Sequence, residues 1–207
     1  LILKCKYLMS NYPYVPYGTT VHGEDEINAV VNVLRTSTQM GKNVRELEDK
    51  VAGLYQKKFG IGVNSGSSAL YLAADLLNYA EGTEIITPAL TFSTTVAPLV
   101  KRNWVPAFVD VEEGTYNIDA NKIEEMITSK TKAMVIPNLI GNLPNWKQIR
   151  EIADKYNLFL LEDSADTIGA EIDGASSGRY TDMSTTSFYG SHIMNCAGNG
   201  GMLCVNN

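Results

Sequence analysis

The chain has 207 residues, 44% of them hydrophobic, with 17 basic against 23 acidic side chains and a formal net charge of -6. That apolar content is enough to bury most of one compact core, and no run of Lys and Arg could follow a phosphate backbone, which argues against a nucleic-acid partner. No apolar run approaches the roughly 20 residues a bilayer crossing needs, and residues 1–3 are too short for a signal peptide, so neither a membrane nor an exported location is expected and the cytoplasm is.

The cysteines Cys5, Cys196 and Cys204 are odd in number and lack a CxxC spacing. They predict buried free thiols, with neither a disulfide framework nor a metal site. The chain starts without Met and stops in the strand-like run 202–207, which reads as truncation.

After a Pro- and Tyr-rich leading segment (12–20), residues 24–34 and 44–59 carry apolar side chains at helical spacing, and 60–64 is a short β-type run. The pattern then alternates: helix 68–77, strand 84–88, helix 93–102, strand 106–111, helix 119–127, strand 133–138, helix 145–156, strand 158–162. Such alternation predicts an α/β fold of three layers, helices covering both faces of a mainly parallel sheet. Residues 1–59 form a helical lead-in to one domain. Strands 85–87, 134–136 and 159–161 are apolar on consecutive residues, as burial on both faces requires.

In open parallel sheets ligands bind beyond the carboxyl ends of the strands. Those positions are polar here: Asn64-Ser65-Gly66-Ser67-Ser68, residues 87–95, and Glu162-Asp163-Ser164-Ala165-Asp166. The Ser/Gly turn matches neither the Walker pattern nor GxGxxG. It can aim N–H groups and hydroxyls at a phosphate, or simply cap its helix. Asp163, after an apolar strand, must be paired or solvated; it can hold a pyridinium proton, or act as a cap or buried polar link. His22 reads as a surface or interface residue, and Tyr12, Tyr14 and Tyr17 as packing residues.

Taken as a set, VNSGSSAL (63–70), TPALTFSTT (87–95), FVDVEEGTYNID (108–119), LEDSAD (161–166) and SFYGSHIMNCAGNGGM (187–202) resemble the DegT/DnrJ/EryC1/StrS sugar aminotransferases. The resemblance runs over about residues 17–206. It implies the large domain of fold type I pyridoxal-phosphate enzymes, with the usual smaller carboxyl-terminal domain missing. It also implies that Gly66 and Ser67 bind the cofactor phosphate, that Ser187 adds a phosphate contact, and that Phe92 stacks on the pyridine ring. Asp163 would hold the ring nitrogen, and Asp166 would stand near the ring hydroxyl.

Family aminotransferases carry a Schiff-base lysine where this chain has His192, and no Lys follows Lys155. An imidazole forms no imine with the cofactor aldehyde. His192 is therefore expected to act as a base, with the cofactor held noncovalently, most usefully as pyridoxamine 5'-phosphate. The same substitution marks a subgroup that the chain resembles more closely, the 3-dehydrases of nucleotide-linked 4-keto-6-deoxyhexoses; SFYxxH (187–192), STTVAP (93–98) and LIGN (139–142) lean that way. The resemblance implies an NDP-sugar substrate and a homodimer with shared active sites. Ala165 stands where cluster-bearing members have a cysteine, so no iron–sulfur cluster is expected. Ile193 replaces the second histidine that often follows the first. The competing readings are an aminotransferase using another lysine, selected by a lysine adduct, and a noncatalytic module of the same fold, selected by cofactor binding without turnover.

Overall fold

The computed structural model describes residues 13–16, 18–19 and 21–207; Cys5, Tyr12 and Tyr17 lie outside them. Two units are distinguished, divided after Thr38. In the first, helix α1 (Glu24–Thr36) begins with Glu26 Oε2 accepting from the Gly23 N–H at 2.6 Å, and Glu24, Asp25 and Glu26 complement the positive end of its dipole. None of its residues is buried, and Tyr14, expected to pack, is exposed.

The second unit runs α2 (Lys42–Leu54), β1 (Phe59–Val63), α3 (Gly66–Leu77), β2 (Glu84–Pro88), α4 (Ser93–Lys101), β3 (Val105–Val109), β4 (Thr131–Pro137), α5 (Trp146–Tyr156), β5 (Phe159–Asp163), the two-residue strands β6 (Glu171–Ile172) and β7 (Ala175–Ser176), β8 (Met183–Ser187) and β9 (Gly201–Val205). The main sheet has the order β1-β9-β8-β5-β4-β2-β3. Strands β2, β3, β4, β5 and β8 pair in parallel, whereas β9 runs antiparallel between β1 and β8. Hence β9 alone opposes the other six, and the carboxyl ends of those six share one edge with the start of β9.

The apolar strands alternate their side chains between two cores. Ile86, Met134, Ile136 and Leu160 pack with Trp146, Ile149 and Ile152 of α5. Their neighbours Ile85, Ala133, Val135 and Leu161 pack with Ala69, Leu70, Ala73 and Ala74 of α3 and Leu99 of α4. Of the residues expected to be buried on both faces all are so except Phe159, which is partly buried, and each fully buried Ile or Leu contributes roughly 1.5–3 kcal/mol. A third cluster joins Val51, Ala52 and Tyr55 to Phe188, Met202 and Cys204.

Several boundaries differ from the expectations. The helix expected to continue to residue 59 ends at Leu54, and the chain turns through Gln56 at φ 52° to begin β1 at Phe59. The cause is tertiary: Tyr55 is buried with its hydroxyl donating to Thr167 O at 2.9 Å, and Glu48 Oε1 accepts from the Gly62 N–H at 2.8 Å. The helix expected over 119–127 is two short 3-10 turns, Ala120–Lys122 and Glu124–Met126, which bury Ile123 without needing a continuous α-helix. The strand expected over 106–111 stops at Val109, and Val111 instead bridges Ile118 around a tight turn with Gly114 and Tyr116 at positive φ. Of the thiols expected to be buried, Cys204 is buried but Cys196 is exposed, on the loop between β8 and β9.

Candidate active site

At the shared carboxyl edge, β1 and β8 flank the start of β9: Val63 and Ser187 both lie opposite Gly201. Ser65 caps α3, its Oγ accepting from the Ser68 N–H at 3.1 Å, and Ser68 Oγ donates to Asn64 Oδ1 at 2.6 Å. Those hydroxyls serve the cap. The N–H groups of Gly66 and Ser67 belong to the first turn, which has no intrahelical acceptors, and they carry the positive end of the helix dipole.

Close approach defines this corner. A methyl group on Gly66 would stand 2.7 Å from Ser187 Cβ and 3.1 Å from its Oγ. A methyl group on Gly201 would run into the backbone of Ser65 and Gly66. Glycine at both positions thus brings the α3 amino terminus against the Ser187 hydroxyl, a cradle a side chain would fill. A phosphate dianion suits it: exposed N–H donors, hydroxyls and no opposing carboxylate in contact.

Asp163 ends β5 almost fully buried. Its Oδ2 accepts from Thr95 Oγ1 at 2.8 Å and its Oδ1 from the Ala165 N–H at 3.2 Å. Burial pushes its carboxyl above the ordinary range, with those two donors and the His192 charge opposing and Asp166 adding to the rise. A buried carboxylate oriented by donors on both oxygens has the chemistry to hold a protonated ring nitrogen. Thr95 was not singled out from the sequence. The signal was its helical offset: Phe92 is the N-cap of α4, so Thr95 turns inward in the first turn.

Phe92 itself is 68% exposed at the mouth of β2, an aromatic face available to a planar ligand. Five residues past Ser187, His192 is half-buried, its Nε2 lying 3.8 Å from Asp166 Oδ1 and its Nδ1 3.4 Å from the Ser187 carbonyl. Asp166 and His192 are both near enough to Asp163 for their charges to bear on its carboxyl. Gly66, Ser67, Ser187, Asp163, Asp166 and His192 therefore meet along one edge, with Phe92 on the same edge at the start of α4.

Beneath this edge lies a buried polar layer that sequence reasoning missed. Lys57 Nζ donates to Gly178 O at 2.6 Å and to Thr181 O. Glu162 is fully buried, and among the described residues no donor meets either carboxylate oxygen at full hydrogen-bonding geometry; burial pushes its carboxyl up, while the nearby Ser184 and Ser177 hydroxyls, Lys57 and Asn138 oppose the rise. Asn138 Nδ2 donates to Ser164 Oγ at 2.7 Å and Thr167 Oγ1 at 3.1 Å, and its Oδ1 accepts from Trp146 Nε1 at 2.8 Å. These groups tie the loops after β4 and β5 to the sheet.

Comparison with known proteins gives the same family as the motifs. The model of the DegT/DnrJ/EryC1/StrS aminotransferase family matches residues 20–207. The chain is 35% identical over 207 residues to a dTDP-4-dehydro-2,6-dideoxy-D-glucose 3-dehydratase of Saccharopolyspora spinosa, covering 96% of this chain and 44% of that protein. Among solved structures it resembles the aminotransferase from Psychrobacter cryohalolentis, at a TM-score of 0.87 and 32% identity, covering 94% of this chain and 50% of that one. It is equally similar to the E. coli GDP-4-keto-6-deoxy-D-mannose-3-dehydratase with bound hydrated PLP, at a TM-score of 0.87 and 31% identity, with 94% and 51% covered. The chain spans about half the length of these relatives.

Proposed function

Because the chain belongs to the DegT/DnrJ/EryC1/StrS aminotransferase family, we propose that it serves a vitamin-B6-dependent enzyme acting on nucleotide-linked sugars, and that the reaction is 3-dehydration of an NDP-4-keto-6-deoxyhexose. The observation that carries the dehydration reading is His192. It stands five residues past Ser187 beside Asp163 and Asp166, and no lysine follows Lys155 in this sequence. Lys57, the buried lysine among the described residues, has its ammonium bound to the Gly178 and Thr181 carbonyls.

Gly66, Ser67 and Ser187 would hold the cofactor phosphate through the first-turn N–H groups and two hydroxyls. Phe92 would cover one face of the ring, and Asp166 would stand on the side of its hydroxyl, its Oδ1 also facing His192. Pyridoxamine 5'-phosphate, when bound, supplies an amine for the sugar's keto group and a protonated ring that accepts electrons. Asp163 would keep the ring nitrogen protonated. Its ionised form, which burial and the Asp166 charge oppose, would be favoured by that adjacent cation, and the Thr95 hydroxyl fixes its orientation.

His192 would remove a proton and, as its conjugate acid, assist departure of the 3-hydroxyl as water. A base without a primary amine has no covalent hold on the cofactor, which favours elimination over amino transfer. The working assembly proposed is a homodimer with shared sites, completed by a small carboxyl-terminal domain as the sequence resemblance implies.

The test is to incubate the protein with pyridoxamine 5'-phosphate and an NDP-4-keto-6-deoxyhexose and follow the sugar by mass spectrometry. Replacement of the 3-hydroxyl by hydrogen, a net loss of one oxygen from the sugar with one pyridoxamine 5'-phosphate converted to pyridoxal phosphate and ammonia released per turnover, is expected, reduced about 100-fold or more in His192→Asn as for a general base. Formation of an aminosugar, or turnover that survives His192→Asn, would contradict the reading.

A further inference from the structure

The loop after β4 holds a strained residue next to the site. Ile140 has φ 49° and ψ 30°, a left-handed conformation that a β-branched residue rarely adopts and that persists only where its surroundings impose it. The surroundings do so at both ends. Before it, the Asn138 N–H donates to Asp163 O at 2.9 Å while the Asn138 side chain is held by Ser164, Thr167 and Trp146. After it, Asn142 Nδ2 donates to Thr115 O at 3.1 Å.

The strained conformation has one evident product. The Ile140 N–H donates to Asp166 Oδ2 at 3.1 Å. Asp166 is partly exposed and, among the described residues, the Ile140 N–H is the hydrogen-bond partner of that oxygen, so this bond sets the rotation of the carboxylate and leaves Oδ1 facing His192 Nε2 at 3.8 Å. The opposite ring nitrogen, Nδ1, faces the Ser187 carbonyl. Both groups presented to the imidazole are oxygen acceptors, and of the two the Asp166 carboxylate is the one that carries a negative charge.

We propose that Ile140 is a positioning residue for the reaction: its left-handed backbone delivers the N–H that aims Asp166 at His192, and Asp166 stabilises the charge His192 acquires. The consequence for catalysis rests on the reading of His192 as the base; the structural coupling does not.

The coupling is read by imidazole and amide ¹⁵N–¹H spectra of the full chain without cofactor or sugar, with His192 assigned by His22→Gln, since the sequence has 2 histidines. Asp166→Ala is expected to move both the Ile140 amide proton, through loss of its acceptor, and the His192 ring nitrogens. Ile140→Gly, which keeps the N–H and adopts positive φ freely, is expected to leave the His192 spectrum as in the wild type. Ile140→Pro, which removes the N–H, is expected to reproduce the His192 spectrum of Asp166→Ala, and the double variant to add nothing. An Asp166→Ala protein whose Ile140 amide or His192 ring is unmoved overturns the proposal, even if the proline variant does not fold. With sugar turnover in hand, Ile140→Pro lowers kcat at least 10-fold with little change in KM. If the protein instead transfers amino groups, the spectra still decide the coupling and only the catalytic consequence is withdrawn.

Discussion

Thr95 Oγ1 donates to Asp163 Oδ2 at 2.8 Å, joining the first turn of α4 to the carboxyl end of β5. The bond lies in a buried setting, so it is both a structural link and the device that orients the carboxylate proposed to face the cofactor nitrogen.

Thr95→Val keeps the shape and removes the donor. Leaving a buried carboxyl oxygen with one partner fewer is expected to cost about 1–3 kcal/mol in unfolding free energy, measured by urea denaturation. Pyridoxamine 5'-phosphate affinity should fall in parallel, read by quenching of protein fluorescence. A variant with unchanged stability and affinity would remove Thr95 from the account.

Gly66→Ala puts a methyl group 2.7 Å from Ser187 Cβ. Both elements are backbone-anchored, so the α3 amino terminus and Ser187 must separate, at about 1–3 kcal/mol by analogy with overpacked cores. Cofactor-phosphate affinity, measured by titration with pyridoxamine 5'-phosphate against pyridoxamine, should lose most of the advantage that the phosphate confers. Retention of that advantage would contradict a phosphate site at this turn.

Glu162→Gln should stabilise the protein, and more so as pH rises. Glu162 is fully buried, no donor among the described residues meets either of its oxygens at full hydrogen-bonding geometry, and burial raises its folded-state pKa. The folded protein therefore retains a proton that the unfolded chain releases in the ordinary Glu range. With more protons bound to the native state, this group's contribution to stability falls as pH climbs from that range toward its folded value. The glutamine variant escapes the loss. A higher Tm than the wild type is expected at pH 8, with the difference shrinking toward pH 4. An equal gain at both pH values would show that the cause is not ionisation.

Trp146→Phe preserves most of the buried area but leaves Asn138 Oδ1 without its indole donor. A loss of about 1–3 kcal/mol is expected. Because Asn138 also holds Ser164 and Thr167, hydrogen exchange in the loops after β4 and β5 should accelerate more than in β2 or β3. Uniform acceleration would mean a general loss of stability rather than a loosened site.

Most of the fold was legible because strands β2, β4 and β5 are short apolar runs between helices of clear period. Polarity after the strands pointed to the segments holding Gly66, Ser67, Asp163 and Asp166, whereas Ser187 and His192 came from the family resemblance; all six lie along the carboxyl edge of the sheet. What escaped were features set by contacts distant in sequence. The helix period runs on past Leu54, but Tyr55 is drawn inward by Thr167 and Gly62 must meet Glu48. Residues 119–127 have helical spacing, yet docking Ile123 against the sheet is satisfied by tighter turns. The reversed direction of β9 has no local signature at all. The burial of Lys57 and of the Glu162 side chain has no local sequence cue, and Ile140 carries no residue-type cue for positive φ, because its conformation is imposed by the anchored asparagines around it.

The central claim is that this site works without a lysine bound to its cofactor. Incubation with pyridoxal phosphate, reduction with borohydride, and intact and peptide mass spectrometry address it directly, with cofactor retention checked in the same sample. The account predicts retained cofactor and no phosphopyridoxyl group on any lysine; a stoichiometric adduct on one lysine would contradict it and restore the aminotransferase reading.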